Sequence, residues 1–167
     1  MFANPSFDQF LFFLFFAVIF FAALSDVTSF RIPNAASIAL IVVFPLHVLA
    51  SNVPVDWIGG VAVAFIVFLA GLGLFAAGLV GGGDVKLLSA TALWAGSGLV
   101  LRELLVMGLA GGILAALVWL LQIARRYRSG GLAQILLFEP GAAQAKVPYG
   151  VAIAAGAGYT GLKLLNG

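Results

Sequence analysis

The stretch GLVGGGDVKLLSA, from Gly78 to Ala90, lies between two long apolar runs and places one carboxylate directly after three consecutive glycines. The chain as a whole is strongly apolar: 63% of its 167 residues are hydrophobic, 8% are charged, and the mean hydropathy is +1.19. Soluble domains contain roughly 45–50% apolar residues. The sequence therefore predicts an integral membrane protein, in which an acid at this position needs an explanation.

The apolar runs give the number of membrane passes, because a spanning helix needs about 20 mostly apolar residues between polar or turn-forming breaks. Six runs are present: Phe10–Leu24, Ala35–Ala50, Trp57–Val80, Val85–Leu99, Leu104–Ala124 and Val147–Leu165. The fourth is short and is interrupted by Gly96 and Gly98. We predict an all-α, polytopic membrane protein with about six transmembrane helices, forming a single integral-membrane domain over residues 1–167.

The basic residues predict the orientation, because they concentrate in cytoplasmic loops. The first, third and fifth loops contain Arg31, Lys86, Arg125, Arg126, Arg128 and Lys146. Only Arg102 and Lys163 fall on the opposite side. Both termini are therefore predicted to face away from the cytoplasm. A cleaved signal peptide is the alternative for the first run, but no basic residue precedes that run.

Composition excludes several function classes. The chain has no cysteine, which excludes disulfides, thiolate metal sites and cysteine nucleophiles. A net charge of +2 spread over six passes forms no patch for nucleic acid. The single histidine, His47, lies about 20 Å along the second helix from the cytoplasmic end, where we expect it to form a hydrogen bond at the outer interface. No metal or other cofactor is predicted.

Two features leave alternatives open. We predict that Ser97, which lies between two glycines, and His47 are both near the outer face. A serine protease is therefore an alternative, and it would require these two side chains to be in hydrogen-bond contact. The long loop from Arg125 to Lys146 contains a short apolar segment, Ile135–Phe138. That loop is either functional, with its apolar segment on the membrane surface, or a mobile connector.

Two of the acidic residues lack an ordinary explanation. Asp8 and Asp56 start helices, Glu103 is next to Arg102, and Glu139 lies in the long loop. Asp26 and Asp84 remain, at the end of the first helix and the start of the fourth. Placing an ionisable side chain at membrane depth costs free energy, so such a residue indicates a functional site by default. Because two complete passes separate them, both acids are predicted at the cytoplasmic face and can meet if the first and fourth helices pack together.

A close pair of carboxylates can hydrolyse a peptide bond without metal, thiol or serine. Two such groups within about 3 Å cannot both ionise. The ionised one takes a proton from water, while the protonated one donates to the scissile carbonyl. Gly81, Gly82 and Gly83 leave room for an extended peptide beside Asp84. The simpler alternative is a tight interhelical turn in which Asp84 only caps the fourth helix.

Three motifs together resemble a known family. The first loop reads SDVTSFRIPN, from Ser25 to Asn34, so that Asp26 is followed by Arg-Ile-Pro-Asn at the start of the second helix. Gly-Gly-Gly-Asp-Val-Lys precedes the fourth helix, and KVPYGVAIAAG opens the last. This order resembles the type IV prepilin peptidase family, specifically the short form of the tight-adherence (Flp-type) pilus systems. The resemblance covers essentially the whole chain.

The resemblance implies an intramembrane aspartyl endopeptidase of the bacterial inner membrane with Asp26 and Asp84 as its catalytic dyad. Its substrates would be Flp-like prepilins, cut on the cytoplasmic side between a basic leader, typically ending in Gly, and the hydrophobic helix. The pilus assembly machinery and membrane lipid are further implied partners. The motif positions expected to contact substrate are Gly81, Gly82, Gly83, Pro33, Asn34, Lys86, Pro148, Tyr149 and Gly150. Lys86 and Arg31 either modulate the two acids or only anchor the inside face.

Longer members of this family carry an N-terminal cysteine cluster and also methylate the new N-terminus. Nothing in this chain matches that part, so we expect cleavage without methylation. Two other function classes remain open: a small transporter or proton-relay protein that uses the paired acids, and a catalytically idle scaffold for pilus assembly.

Overall fold

A computed structural model describes residues 5–136 and 147–166, and the side chains of residues 7–124 and 147–166. The helices are α1 (Pro5–Ser29), α2 (Asn34–Ala50), α3 (Trp57–Ala76), α4 (Gly82–Leu136) and α5 (Tyr149–Asn166). The described ranges contain no strand, as the all-helical prediction requires. Stretches of three helices are long and apolar enough to cross a membrane: Phe7–Ser29, Trp57–Ala76 and Gly82–Ala124.

Helix α4 differs from the prediction, because the fourth and fifth apolar runs lie in one element. The helical backbone also continues to Leu136, so the prediction of a loop from Arg125 onward is wrong for its first twelve residues. The rest of that predicted loop, residues 137–146, lies outside the described residues, and the proposed membrane-surface role of its apolar segment stays a prediction.

Helix α4 reverses direction near Gly96. Asp84 and Gly112 line the same cavity, although a straight helix would place them about 42 Å apart. Gly96 has a φ of +59°, a left-handed conformation that costs little without a Cβ atom. We call residues 82–95 the first arm of α4 and residues 97–124 its second arm.

Close helix packing positions the first arm. A Cβ atom at Gly60 of α3 would lie 2.6 Å from the carbonyl oxygen of Leu93, and one at Gly71 would lie 2.7 Å from a methyl group of Val85. These contacts fix α3 against the first arm over most of its length. On the other side of the first arm, Trp94 packs against aromatic rings of α1 and α2 and donates to the Leu40 carbonyl oxygen at 3.1 Å.

The helices leave polar groups at two ends of the bundle. We call the end with Asp26, Asp84 and Gly150 the motif end, and the end with Asp8 and His47 the distal end. Helix α1 joins them, because Asp8 lies in its first turn and Asp26 in its last, about 27 Å further along the helix axis. Large apolar side chains cover much of the outer surface between the two ends, as expected for a surface that contacts lipid.

Candidate functional site

Asp26 is held between the end of α1 and the start of α5. Helix α1 ends at Ser29, and Phe30 follows in a left-handed conformation with its N–H donating to the Asp26 carbonyl oxygen at 2.8 Å. The Asp26 side chain is 6% exposed and accepts a hydrogen bond from the Gly150 N–H at 2.7 Å. A Cβ atom at Gly150 would lie 2.9 Å from the same carboxylate oxygen. Glycine is therefore required here for α5 to approach the acid.

Asp84 lies in the first turn of α4 and is half-buried. Its carboxylate accepts a hydrogen bond from the Gly81 N–H at 3.2 Å. A Cβ atom at Gly83 would lie 3.2 Å from the Ile32 Cβ, so this glycine lets the start of α4 approach the loop that follows α1. The glycines thus bring Asp84 to the segment that contains Asp26 and orient its side chain.

The two acids line one cavity of about 300 Å³. The other lining residues come from the loop after α1 and from the glycine run: Phe30, Arg31, Ile32, Gly81, Gly82 and Gly83. The structure thus places Asp26 and Asp84 at the same end of the bundle, with a space between them large enough for several atoms of a peptide backbone. We call this space the dyad cavity.

The remaining motif residues surround this end of the bundle. Lys86 is exposed and donates to the Asn34 side-chain oxygen at 3.0 Å, which ties α4 to the start of α2. Pro33 is the N-cap of α2, at the start of the helix as its motif predicts. The Pro148 carbonyl oxygen accepts from the Val151 N–H at 3.2 Å in the first turn of α5. Tyr149 lines a different, apolar cavity that also includes Asp84.

A model of the type IV leader peptidase family matches residues 13–124, a segment that includes both Asp26 and Asp84. The chain belongs to the type IV leader peptidase family. The comparisons with curated proteins and with solved structures give no match. Membership confirms the family resemblance and identifies a membrane protein of a peptidase family, whose proteases are of the aspartic type.

His47 and Ser97 pair with different acids at the distal end. The His47 Nδ1 lies 2.6 Å from an Asp8 carboxylate oxygen, and the imidazole stacks on Trp94 with ring centroids 5.0 Å apart. The Ser97 hydroxyl donates to Asp56 at 3.0 Å. The hydrogen bond predicted for His47 is present, and the described contacts do not join the two into a serine-protease pair. No group of His, Asp and Glu among the described residues has the arrangement of a metal site.

One buried acid, Glu103, was not predicted from the sequence. Glu103 was attributed to its neighbour Arg102, but Arg102 is exposed while Glu103 is 1% exposed. The Thr160 hydroxyl of α5 donates to the Glu103 Oε2 at 2.8 Å, and Oε1 has no hydrogen-bond partner among the described residues. The available signal was Thr160 itself, one turn after Gly156 in a mostly apolar stretch of the last helix.

Proposed function

We propose that this chain is an intramembrane aspartyl endopeptidase that removes the short leader peptide from Flp-like prepilins. The observation that carries the proposal is the dyad cavity, which is lined by both Asp26 and Asp84. Each acid is oriented by one backbone N–H, so its position does not depend on another side chain. Membership of a peptidase family supports this reaction over transport or a scaffold role.

The reaction needs one proton shared by the two carboxyl groups. The ionised carboxylate takes a proton from water as the water oxygen attacks the scissile carbonyl carbon, and the protonated carboxyl donates its proton to the carbonyl oxygen. The tetrahedral intermediate collapses when the C–N bond breaks: the leaving nitrogen receives a proton from the dyad, and one hydroxyl of the intermediate returns its proton to the dyad as the product carboxylic acid forms. One proton again remains on the pair. Asp26 and Asp84 supply both roles.

The surrounding motif residues are proposed to position the peptide. Gly81, Gly82 and Gly83 expose backbone along one wall of the cavity, where an extended leader can lie without meeting side chains. The other residues proposed to contact the substrate are Pro33, Asn34, Lys86, Pro148, Tyr149 and Gly150. The hydrogen bond between Lys86 and Asn34 gives this pair a positioning role, because it holds the α2 start beside the first turn of α4.

The proposed topology has six membrane crossings in one integral-membrane domain, with the two arms of α4 counted separately. The reversal at Gly96 supports this count. We place the motif end at the cytoplasmic face of the bacterial inner membrane and both termini on the opposite side. Arg31 lines the dyad cavity at the motif end, whereas Lys163 lines a cavity at the distal end, in agreement with the positive-inside rule.

The test is co-expression of the chain in membranes with a tagged prepilin whose leader ends in Gly, followed by gel analysis and N-terminal sequencing. We expect cleavage after that Gly, and a loss of about 10³-fold or more in Asp26→Asn and in Asp84→Asn. Asp56→Asn is the matched control, because this acid only caps α3 and accepts from Ser97. Cleavage that persists in either dyad variant would exclude the aspartyl mechanism.

A further inference from the structure

A second cavity begins at Asp84 and extends into the apolar part of the bundle. It has a volume of about 320 Å³ and lies between α3, both arms of α4 and the start of α5. Its walls include Leu74, Leu88 and Ile153, and its polar side chains are Asp84 and Tyr149. We call this space the lateral groove. Asp84 lines both the lateral groove and the dyad cavity, so the two spaces lie next to each other at this residue.

Two glycines form a surface in this groove that the chain does not use for its own packing. A Cβ atom at Gly108 or Gly112 of the second arm would meet no atom within 4 Å. Gly111 differs, because a Cβ atom there would contact Ala152 of α5 at 3.5 Å. Gly108 and Gly112 lie one helical turn apart and therefore face the same direction. Such a small-residue surface lets another helix approach closely within a membrane, where packing rather than water exclusion drives association.

We propose that the lateral groove binds the apolar segment of the prepilin that follows the scissile bond, as a helix packed on Gly108 and Gly112. This inference rests on the proposed function, because the occupant is defined by the bond cut at the dyad. A substrate peptide that runs past Asp84 leaves the polar dyad cavity and enters the lateral groove, whose walls consist almost entirely of apolar side chains. The segment on that side of the cut must therefore be apolar.

A rival groove lies on the other side of α5, between α1 and α5. It is larger, about 810 Å³, and is lined by residues that include Ala23 and Gly158. Neither Asp26 nor Asp84 lines it. The direct connection to a catalytic carboxylate distinguishes the lateral groove from this rival and assigns the substrate to it.

Gly112→Leu tests the proposal, because the new side chain fills the lateral groove without displacing a neighbour. Two matched controls also place leucine where a glycine Cβ would meet no atom within 4 Å: Gly73→Leu, on α3 outside both grooves, and Gly158→Leu, in the rival groove. In membranes with equal amounts of each variant, we expect prepilin cleavage to fall at least about tenfold in Gly112→Leu. Cleavage in Gly73→Leu and Gly158→Leu should stay within about twofold of the parent chain.

Cross-linking gives a readout that is independent of cleavage. The chain has no cysteine, so single cysteines at positions 73, 112 and 158 are unique reporters. In an Asp26→Asn background, which keeps the substrate intact, we expect a prepilin with one cysteine in its apolar segment to cross-link to Gly112→Cys and not to Gly73→Cys or Gly158→Cys. A thermal unfolding measurement on Gly112→Leu confirms that its lower activity is not a loss of folded protein.

The two proposals fail in different ways. A parent chain that cuts no prepilin, or whose cleavage survives Asp84→Asn, overturns the proposed function. A parent chain that cuts normally, together with Gly112→Leu that cuts equally well, overturns the lateral groove alone and indicates that lipid fills it. Cross-linking at Gly158→Cys instead of Gly112→Cys assigns the substrate to the rival groove and also overturns the inference.

Discussion

The two ends of the bundle both contain a pair of acids, but they use them differently. At the distal end, the Asp8 carboxylate binds His47 and Asp56 binds both Ser97 and the Gly59 N–H. At the motif end, Asp26 and Asp84 each accept one backbone hydrogen bond and line a common cavity. Side chains bind both acids at the distal end, whereas the described hydrogen bonds to the acids at the motif end come from backbone donors.

This difference supports our proposal that Asp26 and Asp84, and not Asp8 and Asp56, are the catalytic pair. Asp8 and Asp56 are each engaged by another side chain, whereas Asp26 and Asp84 are each given a fixed direction by one backbone N–H, which leaves lone pairs on both carboxylates for water or a substrate. The motif end also depends on glycine at the positions where backbone meets carboxylate. The following predictions alter one end at a time.

The largest effect in this comparison is expected at Gly150. Gly150→Ala places a Cβ atom 2.9 Å from both the Cβ and a carboxylate oxygen of Asp26, so either α5 or the acid must shift. A displacement of about 1 Å costs about 100-fold in rate when it misplaces a catalytic group. We expect kcat for prepilin cleavage to fall by that order, with KM changed much less.

Gly158→Ala is the control for that variant, because it lies on the same helix and its added Cβ meets no atom within 4 Å. A steady-state cleavage assay in membranes measures both variants. Normal kcat in Gly150→Ala would show that Asp26 does not need its present position, and the proposed dyad geometry would then be wrong.

A smaller effect, on stability rather than rate, is expected at the distal end. His47→Ala leaves Asp8 without its imidazole partner and removes the stacking on Trp94. We expect the free energy of unfolding to fall by about 2 kcal/mol, since Asp8 is partly exposed and water can replace part of the lost interaction. Cleavage per folded molecule should not change.

Thermal unfolding in detergent, with Asp8→Ala and the double variant, isolates the coupling between His47 and Asp8. The double variant should lower the free energy of unfolding by less than the sum of the losses in the two single variants. If His47→Ala instead removed cleavage while the protein stayed folded, the distal end would carry chemistry, and the contrast between the two ends would not hold.

The convergence of Asp26 and Asp84 was predictable because the number of helices between them determines the end of the bundle at which they lie. The motif glycines were predicted to leave room for a peptide beside Asp84, and the structure shows in addition that Gly83 lets α4 approach Ile32. The continuity of α4 was not predictable in the same way. The fourth run was predicted to end at Leu99, with interruptions at Gly96 and Gly98, and a separate helix to begin at Leu104. Of these two glycines only Gly96 leaves the right-handed region, and helix continues on both sides. The arginines after Ala124 have good helix propensity, so their charge did not indicate a loop.

Glu103 was misassigned for a different physical reason. The local sequence Arg102-Glu103 fits an exposed ion pair, and only the position of α5 decides which of the two side chains is buried. The packing of two helices distant in sequence cannot be obtained from the periodicity of either helix. Gly156 supplies the close approach, since a Cβ atom there would lie 2.7 Å from the Glu103 carbonyl oxygen.

The smallest effect is expected at this buried acid. Glu103→Gln keeps a side-chain oxygen that accepts from Thr160 and removes a carboxyl group that is costly to ionise in an apolar environment. We expect the free energy of unfolding to change by less than about 1 kcal/mol and cleavage to be unchanged. Glu103→Ala leaves the Thr160 hydroxyl unpaired beside a cavity, so it should lower the free energy of unfolding by about 2–3 kcal/mol.

The same unfolding and cleavage assays measure both Glu103 variants. Equal stability of Glu103→Gln and the parent chain would place Glu103 with Asp8 and Asp56, as an acid whose role is a hydrogen bond. A stable Glu103→Gln protein that no longer cleaves prepilin would give the opposite result. Catalysis would then depend on a third carboxyl group between the two ends, and the division into a structural end and a chemical end would have to be replaced by a polar path along α5.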